Sequence, residues 1–125
     1  MVKKGGAQVV VVVDDEEPVR KAVERLLRAA GLTVRSYASA EDFLESGQVK
    51  GTGCLVADIR MPGMSGLDLL AELNRQRLPI PTILITAHGD ENLRMQAMRA
   101  GAVKFLPKPV DGATMLASVQ AALQF

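Results

Sequence analysis

Five polar side chains stand where apolar segments of the chain end, and their types suit one kind of chemistry. Asp14 and Asp15 follow "VVVVV", Asp58 follows "CLVA", Thr86 closes "TILIT" and Lys108 follows "VKFLP". Three carboxylates placed together repel one another and raise each other's pKa unless a cation neutralises them. Oxygen ligands that leave room for several waters favour Mg²⁺. A hydroxyl and an ammonium facing a carboxylate beside that ion would form a site for a tetrahedral anion carried on the carboxylate.

Each of these residues also has an ordinary explanation. Asp14 and Asp15 in "DDEEP" could be acidic residues that favour a helix N-terminus, and Asp58 could be a turn residue before "MPGMSG". Thr86 could simply be a strand former, and Lys108 could be a solvated surface lysine. The prediction of a site therefore depends on a fold that brings all five together.

Two kinds of segment alternate along the chain and predict that fold. Short apolar segments rich in β-branched residues are predicted as strands at 8–13, 33–37, 53–57, 82–86 and 103–106. A helical pattern follows each strand. The first is an apolar stripe over residues 19–30 that ends before Gly31, the second and third are helices capped by Ser39 and Ser65, and the last two cover 90–100 and 111–123. The order βαβαβαβαβα predicts an open, doubly wound α/β sheet of parallel strands. Ligands bind outside the carboxyl ends of such strands, so the five polar residues should converge on one crevice.

The composition is typical of one ordinary globular domain. The chain has 125 residues, 48% of them hydrophobic and 23% charged, and its formal net charge of +1 indicates neither a nucleic-acid surface nor a polybasic membrane anchor. Cys54 is the single cysteine, which excludes an intramolecular disulfide and a cysteine zinc cluster. The run "VVVVV" is too short to span a bilayer. We expect one cytoplasmic domain over residues 1–125, with its core at about 8–123, that contacts neither nucleic acid nor membrane directly.

Four ordered motifs resemble the receiver domain of bacterial two-component response regulators, the CheY-like group. The motifs are "VVDDEEPVR", "LVADIRMPGMSGLDLL", "ILITAHGD" and "GAVKFLPKP", and together they extend the resemblance from about Val9 to Leu123. "DDEEPVR" and "HGD" look most similar to the nitrogen-fixation, FixJ-type subgroup. The resemblance implies a (βα)5 fold with a five-stranded parallel sheet in the order 2-1-3-4-5.

The resemblance also implies a role for the acidic residues. Asp58 would be the phosphoacceptor, which takes a phosphoryl group from the phosphohistidine of a sensor histidine kinase. Asp15 would hold Mg²⁺ directly and Asp14 partly through water. Asp58 and the backbone carbonyl of Arg60 would complete the protein ligands.

A switch is implied by the same resemblance. Thr86 would hydrogen-bond the phosphoryl oxygens, and Lys108 would pair with them. Phe105 matches the aromatic switch residue of the family, which turns inward as the threonine moves. The Lys108–Pro109 bond matches a peptide that is cis in the family. Val110 stands where relatives commonly have an aromatic residue, so the packing of the last loop is expected to differ.

The resemblance extends to partners. The face made by the fourth helix, the fifth strand and the fifth helix, including Arg94, Arg99 and Lys104, is expected to change on phosphorylation. Such a face would mediate a phosphorylation-dependent homodimer or contact an output domain. Because the FixJ-type subgroup usually carries a helix-turn-helix output, we expect a chain excised from a longer transcription regulator, although a stand-alone receiver stays open.

Rival functions fit the sequence less well. A phosphatase or phosphotransferase of the haloacid-dehalogenase type also uses an aspartyl phosphate and Mg²⁺, but it needs a second carboxylate two residues after the nucleophile, where Arg60 stands. A nucleotide-binding module would need a Walker A or GxGxxG sequence after a strand. A receiver with a decayed acceptor would lack some of the site residues, and all are present. We therefore expect a signalling domain that catalyses only its own phosphorylation and dephosphorylation.

Overall fold

The computed structural model describes residues 9–123, in which a five-stranded sheet lies between two layers of helices. The strands are β1 (Val9–Val13), β2 (Thr33–Tyr37), β3 (Thr52–Asp58), β4 (Thr82–Thr86) and β5 (Lys104–Pro107). The helices are α1 (Glu17–Ala29), α2 (Ala40–Glu45), α3 (Gly66–Arg75), α4 (Glu91–Arg99) and α5 (Gly112–Leu123), with a short 3-10 turn at Val49–Gly51. All neighbouring strands are parallel, in the order β2-β1-β3-β4-β5. The predicted doubly wound fold and its strand order are confirmed.

The sheet divides the hydrophobic core into two, because successive residues of a strand point to opposite faces. Val11 and Val13 of β1 pack in the core beneath α2, α3 and α4, whereas Val10 and Val12 pack in the core beneath α1 and α5. All five residues of β1 are buried. This two-sided burial is the reason why β1 is apolar at every position instead of alternating.

Helix ends follow the capping residues predicted from the sequence. Ser39 Oγ accepts a hydrogen bond from Asp42 N at 3.0 Å, and Ser65 Oγ accepts one from Asp68 N at 3.0 Å. Asp68 completes a capping box, since its Oδ2 accepts from Ser65 N at 3.1 Å. Gly31 follows α1 with φ +88°, a backbone conformation that glycine adopts without steric cost.

Several predicted boundaries differ from the observed ones by one or two residues. Asp58 is the last residue of β3 rather than the first residue beyond it, because it still pairs with Ile85 across the sheet, whereas Thr86 ends β4 as predicted. Gln8, the predicted start of β1, lies outside the described residues, as do the two ends of the predicted domain range of 1–125.

Helix α4 is held to the sheet by few side chains. Of its nine residues only Ala97 is buried, against four of the ten residues of α3. Met95 and Met98 of the same helix are 39% and 41% exposed. Helix α4 is therefore weakly anchored, which places it among the parts of the fold that cost least to move.

Candidate functional site

The carboxyl ends of β1, β3 and β5 bring three of the predicted site residues together. Lys108 Nζ lies 3.0 Å from Asp14 Oδ2 and 3.3 Å from Asp58 Oδ2. The Lys108 side chain is 8% exposed, while Asp14 is 0% and Asp58 4% exposed. The ammonium group therefore lies on the same rim of the sheet as Asp58, as the predicted crevice requires.

Glu16 is a third partner of Lys108 and was not among the predicted site residues. Its Oε1 lies 2.6 Å from Lys108 Nζ, and its backbone N–H donates to Asp14 Oδ1 at 2.9 Å. Carboxylate oxygens of Asp14, Glu16 and Asp58 lie within 4.8 Å of one another. The acidic run "DDEEP" was a signal for a third acid here, but which of its residues faces the site depends on the turn after β1.

Asp15, Arg60 and His88 line a crevice of about 260 Å³ together with Glu16, Asp58 and Lys108. Asp15 is exposed and stands outside the close cluster formed by Asp14, Glu16 and Asp58. The predicted Mg²⁺ contacts of Asp15 and of the Arg60 carbonyl stay predictions. His88 is exposed in the loop between β4 and α4.

The two predicted switch residues contact the same glycine. Thr86 is fully buried, and its Oγ1 accepts a hydrogen bond from His88 N at 3.3 Å. A Cβ placed on Gly89 would lie 2.8 Å from Phe105 Cζ and 3.0 Å from Thr86 Cγ2. The ring of Phe105 and the methyl group of Thr86 thus both lie close to Gly89, while their movement on phosphorylation stays a prediction.

Two further contacts hold the ends of β1 and β3 in place, and no sequence pattern predicted either of them. Arg20 Nη1 on α1 donates to the carbonyl oxygen of Asp14 at 2.8 Å. Gly66, the first residue of α3, packs so closely on β3 that a Cβ there would lie 2.5 Å from the Asp58 carbonyl oxygen. The start of α3 therefore packs tightly against the backbone of Asp58.

An apolar groove of about 470 Å³ opens beside Lys108, between α1 and the loop that follows β5. Pro18, Val19 and Ala22 line it on one side, and Pro109 and Val110 on the other. The Lys108–Pro109 peptide is cis, as predicted.

The charges of the site are only partly balanced. Burial raises the pKa of Asp14 above 3.8, and hydrogen bonding and Lys108 offset this in part. Burial and the negative charge of Asp14 raise the pKa of Asp58, and Lys108 opposes them. Burial alone would lower the pKa of Lys108, but its contacts with Glu16, Asp14 and Asp58 outweigh that effect and raise it. The single ammonium group of Lys108 thus contacts three carboxylates, and this leaves an excess of negative charge in the cluster.

This excess charge predicts that Asp58→Asn stabilises the protein at neutral pH. The raised pKa of Asp58 means that the folded state binds the proton more tightly than the unfolded state, so this group favours folding below pH 3.8 and loses that contribution as pH rises through its folded pKa. At pH 7 we expect the variant to gain about 1 kcal/mol in urea unfolding. The gain should shrink as pH approaches 4.

Asp42→Asn, on the exposed first turn of α2, is the control and should change the free energy of unfolding little at either pH. A variant at position 58 that is less stable at pH 7, or equally stabilised at pH 4, would contradict the electrostatic explanation.

Residues 10–120 match the family of the response regulator receiver domain. The chain belongs to this family. It is 46% identical over 112 residues to the transcriptional regulatory protein FixJ of Azorhizobium caulinodans. The aligned region covers 90% of this chain and 53% of that protein. It is 43% identical to nodulation protein W of Bradyrhizobium diazoefficiens, with 93% of this chain and 51% of that protein covered. The receiver chain spans about half the length of these curated relatives.

Solved structures agree with this assignment. The crystal structure of FixJ-N superposes with a TM-score of 0.85 at 40% identity and covers 95% of both chains. The response regulator StyR superposes with a TM-score of 0.88 at 44% identity, over 95% of this chain and 60% of that one. The chain is a receiver domain of the two-component response regulators, as the motifs indicated, and the haloacid-dehalogenase alternative is not supported. Membership of this family fits a signalling role rather than that of a turnover enzyme.

No helix within residues 9–123 combines the length and the apolar character that crossing a membrane requires.

Proposed function

We propose that Asp58 of this receiver domain accepts a phosphoryl group from the phosphohistidine of a sensor histidine kinase in a Mg²⁺-dependent reaction. The observation that carries the proposal is the set of contacts around Lys108, whose ammonium lies 3.3 Å from Asp58 and 3.0 Å from Asp14 in a nearly buried position. A carboxylate beside a buried cation, at the edge of a crevice of about 260 Å³, can receive a phosphoryl group and have its added charge compensated.

The donor atoms of the site fit a hard divalent cation. Asp14 Oδ2 is buried and accepts no hydrogen bond of good geometry within the described chain, even though Lys108 Nζ lies 3.0 Å away. Carboxylate oxygens near it, with an exposed crevice for water, are the environment that Mg²⁺ favours. Asp14, Asp15, Asp58 and the Arg60 carbonyl are the proposed ligands. When bound, Mg²⁺ would neutralise the acidic cluster and the charge of the transferred phosphoryl group.

The chain's own residues then have distinct tasks in the transfer. An Asp58 carboxylate oxygen forms the new bond to phosphorus as the phosphorus–nitrogen bond of the phosphohistidine breaks, and the imidazole leaves with the bonding electron pair. Lys108 moves from the carboxylate to pair with the phosphoryl oxygens. Thr86, at the end of the adjacent strand, supplies a hydroxyl hydrogen bond. Because Thr86 and Phe105 both contact Gly89, movement of the threonine would change the packing of the ring.

Removing a carboxylate from the cluster should weaken metal binding strongly. In a Mg²⁺ titration followed by amide chemical shifts, Asp14→Asn should raise the half-saturating concentration by about tenfold or more, because a neutral amide replaces a carboxylate ligand. Asp42→Asn, which removes an exposed carboxylate outside the site, should titrate as the unmodified protein does. An unchanged half-saturating concentration in Asp14→Asn would exclude Asp14 from the ligand set.

The partners of the domain follow from its relatives and its surface. Because several curated relatives are transcriptional regulatory proteins of about twice its length, we propose a receiver unit that controls a DNA-binding output domain in a longer regulator. Among the elements of this proposed face, α4 exposes Met95 and Met98, and Val103, directly before β5, is 45% exposed. Apolar side chains of this kind, among the charged Arg94, Arg99 and Lys104, suit a homodimer that forms when Asp58 is phosphorylated.

A charge on this face should oppose association without affecting the acceptor. Met98→Lys should weaken the phosphorylated dimer by about tenfold in sedimentation velocity, because it places a charge in an apolar contact, while its phosphorylation rate stays unchanged. Ala29→Lys, at the exposed end of α1, is the matched control and should dimerise normally. If the two variants associated equally, Met98 of α4 would not be part of the dimer interface.

A further inference from the structure

The loop of residues 59–65, here called the acceptor loop, leaves β3 after Asp58 and ends at the start of α3. Its base is closed by backbone hydrogen bonds, since Ile59 N donates to Ile85 O at 2.8 Å and Gly66 N donates to Ile59 O at 3.0 Å. Its distal part is held differently. Met64 N donates to Glu41 Oε2 at 2.9 Å, a contact between residues 23 positions apart in the sequence.

The backbone of Gly63 is shaped around the same carboxylate. Gly63 has φ +75°, and a Cβ at this position would lie 2.6 Å from Glu41 Oε2. Another residue would be strained by the positive φ, and its Cβ would fit only if the flexible Glu41 carboxylate moved away. Glycine therefore lets the loop backbone approach Glu41 closely enough for the Met64 N–H to reach it.

Helix α2 presents Glu41 from a fixed position. Glu41 is in the first turn, next to the fully buried Ala40 and two residues before the fully buried Phe43. Ser39 caps the helix, and the Phe43 ring packs on Tyr37 with centroids 5.5 Å apart. Because one side of α2 is packed into the core, the position of the helix is fixed. The exposed Glu41 carboxylate can therefore restrain the acceptor loop.

We propose that Glu41 is a positioning residue of the phosphoacceptor site, which holds the acceptor loop through Met64 N so that the Arg60 backbone stays beside Asp58. Glu41 touches neither metal nor phosphoryl group and acts only through the loop. The inference rests on the proposed function, because its consequence for Mg²⁺ depends on the Arg60 carbonyl being a ligand.

Three variants separate this role from a general effect on α2. Glu41→Ala removes the acceptor of the Met64 N–H, and Glu41→Gln keeps an amide oxygen that can accept the same bond. Asp42→Ala removes the neighbouring acidic side chain from the same helical turn, and this side chain accepts no hydrogen bond among the described residues. Asp42→Ala therefore matches Glu41→Ala in the loss of a negative charge from the first turn of α2 but not in contact with the loop.

Two readouts test the proposal, and one of them needs no phosphorylation. In the metal-free protein, amide hydrogen exchange at Met64 should be about three- to tenfold faster in Glu41→Ala than in Asp42→Ala, the factor expected for one hydrogen bond. The half-saturating Mg²⁺ concentration for phosphorylation by a small phosphodonor should rise by a similar factor, with the rate at saturating Mg²⁺ within about twofold. Glu41→Gln should recover most of both effects.

The proposal is overturned if Glu41→Ala and Asp42→Ala give the same Met64 exchange, or if faster exchange leaves the half-saturating Mg²⁺ concentration unchanged. Failure of the proposed function would be seen separately, in the unmodified protein, as an Asp58 that takes up no phosphoryl group.

Discussion

Asp58→Asn is expected to abolish phosphoryl uptake from a small phosphodonor in the presence of Mg²⁺, a loss of about a hundredfold or more. The amide is nearly the same size as the carboxylate but is not a nucleophile at neutral pH. Since the substitution also removes a buried negative charge, we expect a folded and more stable protein, so that the loss reports chemistry rather than unfolding. Intact-mass spectrometry after a fixed incubation measures the phosphorylated fraction.

Asp42→Asn serves as the control for this experiment and should be phosphorylated as fast as the unmodified protein. Phosphorylation of Asp58→Asn at a comparable rate would mean that another carboxylate of the cluster, such as Asp14 or Glu16, is the acceptor.

Gly66→Ala is expected to destabilise the domain by about 3 kcal/mol, because overpacking against backbone cannot be relieved by a side-chain rotation. The new Cβ would meet the Asp58 carbonyl oxygen at 2.5 Å and the Ile59 Cα at 3.1 Å, and both atoms belong to the sheet side of the site. Urea unfolding should show a lower midpoint with an unchanged slope. In the molecules of Gly66→Ala that remain folded, the new Cβ should displace Asp58 and so slow its phosphorylation.

Gly112→Ala is the matched control, since Gly112 is also the first residue of a helix. A Cβ there would meet only Leu26 side-chain atoms, at 3.5 and 3.8 Å, which is ordinary contact. We expect this variant to be as stable as the unmodified protein or slightly more so. If both alanines have the same effect on the free energy of unfolding, the close approach of α3 to β3 is not the reason for glycine at position 66.

Much of the site could be predicted because it depends on the sheet. The apolar runs before Asp14 and Asp58 identify buried parallel strands, and the carboxyl ends of such strands meet at one edge whatever the details of the loops. Lys108 follows β5, so strand direction places it at the same edge of the sheet. Its contacts with Asp58 and Asp14 also require the long lysine side chain to reach past the end of β4, which lies between β5 and β3.

The roles of the residues that were not predicted depend on loop conformation and helix packing, which leave no periodic pattern in the sequence. In the turn after β1 the Glu16 side chain, rather than that of Asp15, reaches Lys108, and neither spacing nor composition distinguishes these neighbouring acids. The need for glycine at position 66 arises from the distance between two backbones. Glu41 reaches the acceptor loop from a helix 23 residues earlier, a contact that only the packing of α2 determines.

The most direct test of the central claim is the position of the phosphoryl group in the unmodified protein. The protein is incubated with a small phosphodonor, with Mg²⁺ or with a chelator, and the modified residue is identified by peptide mass spectrometry. We expect modification at Asp58 alone and only when Mg²⁺ is present. Modification at any other residue, or equal modification of Asp58 in the chelator, would contradict the account.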